Sequence, residues 1–209
     1  MTIVSAIILV YASAKTLDEP FEPSVAVLGQ LEIILILYSS IISYNYSYRI
    51  ERGVVGYIFS MPINRRSFAR NSILVEVMFP AVMIMVPSIL VFELTFFSVN
   101  AFYMAFVAIM IMAEISFMVS TGRVLAALTK NGIMTFVLLF GMFYAFSSIS
   151  FYLQPGSFPW LITGGLQSLI TIHASVYYTE LIALIFLISG ALYEISFLML
   201  TSLNLKSGK

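Results

Sequence analysis

The chain has no cysteine, one histidine, one tryptophan, and charged side chains at only 10% of its 209 positions. Without cysteine it can form neither a disulfide nor a thiolate metal site, and it carries no redox clue to its compartment. The lone histidine, His173, has no second His, Cys or Asp beside it. One imidazole cannot build a metal centre or a catalytic dyad, so it reads as structural or interfacial and no metal is expected. A G-x-x-x-x-G-K-[ST] loop is also missing, so nothing in the chain can cradle and hydrolyse a nucleotide, and no enzyme activity or cofactor of its own is expected.

What the chain has instead is apolar surface. At 61% hydrophobic residues and a mean hydropathy of +1.03, too few polar side chains remain to coat a globule in water. The solvent for most of the surface must be lipid, and residues 1–209 read as one all-α integral membrane domain. The formal net charge is zero, yet the charges are segregated. Once the hydrophobic runs divide the sequence into alternating sides, Arg49, Arg52, Arg65, Arg66, Arg70, Arg123, Lys130, Lys206 and Lys209 fall on one side and only Lys15 is left over. That bias is the positive-inside signature and fixes orientation. Lipid is the expected surroundings, in the cell membrane, and no nucleic acid is expected as a partner.

The runs predict a six-helix bundle. Met1 to Ala14 would reach only about 21 Å as a helix, short of a hydrocarbon core of about 30 Å. It fits a truncated first span, a short helix that thins the bilayer, or a signal-type segment ending at Ala12-Ser13-Ala14, although a signal lacks its basic n-region here. The second span is Ser24 to Tyr46 and the third Ser72 to Phe97, which holds Pro80 and Pro87. A short turn leads into the fourth, Ala101 to Gly122. A second cytoplasmic loop, Arg123 to Gly132, ends in an Asn131-Gly132 turn signal. Ile133 to Leu153 and Tyr177 to Leu203 complete the set. Between these last two, Leu161 to Val176 is apolar but too short to cross and is broken at Gly164-Gly165, which predicts a re-entrant or interfacial element.

The longest basic loop, Arg49 to Arg70, encloses an apolar stretch, Val54 to Met61, that is too short to span. Pro62 stops it, and Asn64 can cap a following helix whose first turns carry Arg65, Arg66 and Arg70. The prediction is a helix–break–helix elbow on the inner membrane surface, joined directly to the second and third spans. In this loop Glu51-Arg52-Gly53, a short apolar helix, then S-x-P-[VI]-x-R-R resembles the cytoplasmic coupling segment of ABC-2 type transporter permeases. Glu51, Arg52, Gly53, Ser60, Pro62, Arg65 and Arg66 carry the resemblance, while Val54 and Gly56 stand where family members carry Thr and an acidic residue. The six-span plan and the element before the last span are similar to that family too.

The resemblance implies an export subunit with a separate motor. Two permease subunits, alike or different, would pair around a substrate pathway, and two ATPase subunits carrying the ATP and Mg would dock on the loop. Tyr57, Phe59 and Met61 would be apolar knobs, Arg65 and Arg66 anchors for lipid phosphate or carboxylate, and Gly53 and Pro62 the bends.

Glu32, Glu76, Glu114 and Glu194 fall within predicted spans, where a charged carboxylate costs a few kcal/mol. The predicted spans contain no Lys or Arg away from their ends, so hydrogen bonds to Ser, Thr, Tyr and Asn or protonation are the expected solutions. As a set lining one cavity these residues would serve a substrate pathway or a proton relay; scattered, they are interhelical glue. Two other function classes stand beside the exporter: an ATPase-independent secondary carrier or channel that uses these glutamates, and a membrane scaffold that transports nothing.

Overall fold

The computed structural model describes residues 22–55, 57, 71–83, 101–150 and 176–207. These residues are helical, with no strand among them: α1 (Glu22–Glu51), α2 (Asn71–Met83), α3 (Ala101–Thr129), α4 (Gly132–Ser150) and α5 (Val176–Ser207). Three stretches, Ala108–Thr129, Gly132–Ile149 and Ile182–Leu200, are long and apolar enough to cross a membrane, which makes the chain a multi-pass membrane protein by length and composition. The segment Met1–Ala14, residues 161–175 of the predicted re-entrant element and most of the predicted elbow lie outside the described residues.

Small residues let α3 become the central helix. It packs on α1, α2, α4 and α5, and 61% of its apolar stretch is buried, against 22% in α4 and 28% in α5. Its buried positions include Met110, Ile111, Ala113, Ile115, Met118, Val119, Ala126 and Ala127. Where α3 meets α1, Gly122 leaves no room: an added Cβ would collide with the Ser43 hydroxyl and come within 2.7 Å of Ser43 Cβ and 2.9 Å of Leu139. Helices approach this closely only where side chains are absent or small.

Contacts also give the relative directions. Ser43 meets Gly122 and Tyr46 meets Arg123, so α1 and α3 run parallel. Tyr193 meets Arg123, and Leu200 joins Ala126 and Ala127, so α5 runs parallel to α3. Gly132 meets Tyr44 while Ser147 reaches Glu32, so α4 is antiparallel to α1. α3 and α4 therefore run in opposite directions, as their two-residue connection requires.

The connection between α3 and α4 is shorter than the predicted loop Arg123 to Gly132. α3 does not stop at Gly122 but runs to Thr129, because Val124 to Leu128 continue its apolar face. Only Lys130 and Asn131 separate it from α4. Lys130 adopts a left-handed conformation, φ 51°, that ends α3. Asn131 then caps α4: its Oδ1 accepts the Met134 N–H at 3.0 Å, and its carbonyl accepts the Thr135 N–H at 3.0 Å.

In α2, Pro80 lacks the N–H that would bond to the Glu76 carbonyl one turn earlier. The backbone answers with a π-helical turn, Leu74–Met78, in which the Phe79 N–H bonds back to the Leu74 carbonyl. The Tyr38 hydroxyl of α1 donates to the freed Glu76 carbonyl at 3.5 Å. A proline within an apolar helix thus fixes both the widened turn and the orientation of Glu76 at its centre.

Candidate functional site

The predicted bend at Gly53 is present. α1 ends at Glu51; the Arg52 N–H bonds to the Tyr48 carbonyl and the Gly53 N–H to the Ile50 carbonyl, each at 3.0 Å. Gly53 has φ 71°, a left-handed value at which a side chain is strained, so glycine is required here. The chain then begins a new helical turn, with the Tyr57 N–H bonded to the Gly53 carbonyl at 3.1 Å. Val55, on that turn, is buried with Tyr46 of α1, Ala126 and Ala127 of α3 and Leu200 of α5. The first turn after the bend is therefore pinned to three helices at once. Glu51, Arg52, Gly53 and Tyr57 are exposed beside it, with the Arg52 guanidinium 5.0 Å above the Tyr48 ring. Phe59, Met61, Pro62, Arg65 and Arg66 lie outside the described residues.

One turn further into the bundle lies an ion pair that the sequence reading missed. Glu76 was expected to lack a basic partner, and Arg123 to stand in a loop. Because α3 continues past Gly122, Arg123 lies instead on a packed helix with 2% of its surface exposed. Its Nε and Nη2 both donate to Glu76 Oε2, at 2.8 Å and 2.5 Å. Nη2 also donates to the Ser72 hydroxyl, which in turn donates to Glu76 Oε1 at 3.2 Å. The Tyr46 and Tyr193 rings lie 4.3 Å and 4.2 Å from the guanidinium carbon. Cation–π contact from two sides replaces part of the water that the cation gave up. Side chains of α1, α2, α3 and α5 meet at this single charge. Five apolar residues follow Arg123, the sequence signal that the span had not yet ended.

The remaining carboxylates divide. Glu32 and Glu114 are both buried, at 4% and 3% exposure, and close enough for the charge of one to act on the other. Ser147 of α4 hydrogen bonds with Glu32. Glu194 is exposed on α5, so it does not join them in the described bundle interior. The four glutamates therefore do not line one cavity: one forms an ion pair, two share a junction and one faces outward. No group of three or more potential metal ligands occurs among the described residues.

Comparison with known proteins gives no matching family model, no matching curated protein and no matching solved structure.

Proposed function

We propose that this chain is the membrane-spanning permease subunit of an ATP-driven ABC-2 type exporter in the cell membrane, worked through the 49–70 loop by a separate ATPase chain. The carrying observation is the elbow at Gly53, directly after Glu51-Arg52 and anchored through Val55 to α1, α3 and α5. A push on a loose loop would be lost in bending. Pushed from below, this elbow would move the bundle, because its first turn is packed into the core and its far end continues into α2, which Ser72 and Glu76 bind to Arg123. In this reading ATP binding favours one of two global arrangements of paired permeases, and the elbow carries the difference. The basic loop would face the motor on the inner side of the membrane. The substrate pathway would form between this subunit and a second permease, either a copy or a different chain.

The test is co-purification from native membranes with an ATPase that carries a phosphate-binding loop, assayed for ATP hydrolysis in the isolated complex. A Glu51→Ala variant and an Arg65→Ala/Arg66→Ala variant should insert normally yet lose the associated hydrolysis. Transport that persists without any ATPase and follows an ion gradient would replace this reading with the secondary carrier.

A further inference from the structure

Two buried carboxyl groups lie within reach of each other's charge inside the bundle, with nothing positive beside them among the described residues. We propose that Glu32 and Glu114 form a proton-binding site at the junction of α1, α3 and α4, and that the loaded site holds the seam between α1 and α3 shut. The inference stands independently of any motor.

The geometry carries it in three steps. Oε2 of Glu32 and Oε2 of Glu114 are both buried without a hydrogen-bond partner. Two anions this close, away from water, repel each other and lack the hydration that would stabilise them, so the closed seam holds at least one proton between them. Second, no cation among the described residues can take the proton's place. α4 contributes Ser147 and has no charged residue from Gly132 to Ser150, and its Tyr144 is exposed. On α3, Arg123 lies nine residues further on, about 14 Å along the axis, and is committed to Glu76, the charged residue of described α2. Tyr46 and Tyr193 sit on that arginine, Tyr38 is bonded to the Glu76 carbonyl, and Glu180 and Glu194 of α5 are exposed.

Third, the polar seam continues beyond the pair. Seven residues after Glu32 on the same face of α1, the Ser39 hydroxyl is buried and unpartnered; seven after Glu114 on α3, so is Thr121 Oγ1. These atoms have hydrogen-bonding capacity that the packed seam leaves unused and that water would fill if the helices parted. Water entering there would also hydrate the carboxylates and release the proton. Opening and proton release are thus two sides of one equilibrium, which shifts about tenfold per pH unit for each proton released.

The absence of native cysteine makes the test direct. A Ser39→Cys variant reports opening by its rate of labelling with a water-soluble maleimide, normalised to a Val54→Cys variant, whose site is exposed. Between pH 6 and 8 the ratio should climb with a slope approaching about tenfold per pH unit. In a Glu32→Gln/Glu114→Gln background it should stay low and flat. A flat ratio with both glutamates present overturns the proposal, as does an undiminished slope in the double-Gln background. If that background fails to insert, Glu114→Gln alone serves, and a slope equal to the parent's overturns the proposal.

Discussion

Replacing Arg123 with leucine tests whether the ion pair organises the bundle or merely decorates it. Arg123→Leu removes both charge-assisted bonds to Glu76, the bond to Ser72 and the contacts with Tyr46 and Tyr193, and it strands a carboxylate that now has only Ser72 to hydrogen bond. Breaking one side of a buried pair costs about 3–5 kcal/mol, mostly because the surviving charge is uncompensated. At about 2–4 °C per kcal/mol for a chain of this size, the melting temperature in detergent should fall by about 6–20 °C. Glu76→Leu should cost a similar amount, since it leaves the 2%-exposed guanidinium with only its two aromatic faces and Ser72. The informative variant is the double, Arg123→Leu/Glu76→Leu. It removes both charges together, so its loss should be smaller than the sum of the singles by about 2 kcal/mol or more. Thermal unfolding of the three variants, followed by size-exclusion chromatography or tryptophan fluorescence, closes the cycle. Additive losses, or a loss below about 1 kcal/mol for Arg123→Leu, would refute the claim that these residues act as a unit.

Gly122→Ala should destabilise the packed state by driving a methyl into Ser43, and Ser43→Gly in the same chain should restore much of the loss, measured by the same thermal unfolding. Gly53→Val places a β-branched residue at φ 71° and should cost about 1–2 kcal/mol, with Gly53→Asn milder; equal melting temperatures for the two would argue against a strained turn. Asn131→Ala removes the cap on α4 and should cost about 1 kcal/mol, readable as faster amide exchange in the first turn of α4.

Length and apolarity made the helices legible from sequence, and Gly53 announced its turn because few other residues tolerate that backbone. The end of α3 was harder to read. Arg123 resembled a loop residue because a lone arginine after Gly122 satisfies the positive-inside pattern whether it lies in water or within the bundle. What decided between them was Val124 to Leu128, together with a carboxylate 47 residues earlier whose position depends on how α2 packs. The pairing of Glu32 with Glu114 was equally hidden. Each is an isolated acid on its own helix, and only the parallel packing of α1 against α3 brings them to one level. The choice between four glutamates lining one cavity and scattered glutamates was open in the sequence for the same reason: membership in a span says nothing about the face on which a side chain emerges.

The reversal between α3 and α4 also limits what the bundle can do. Two residues join these helices, one of them left-handed, and the hydroxyls of Thr129 and Thr135 close over the junction at 2.6 Å. Arms riveted so tightly at one end can spread only at their far tips, as tongs do. Any gap between α3 and α4 would therefore have to widen from the end where α3 begins and α4 finishes.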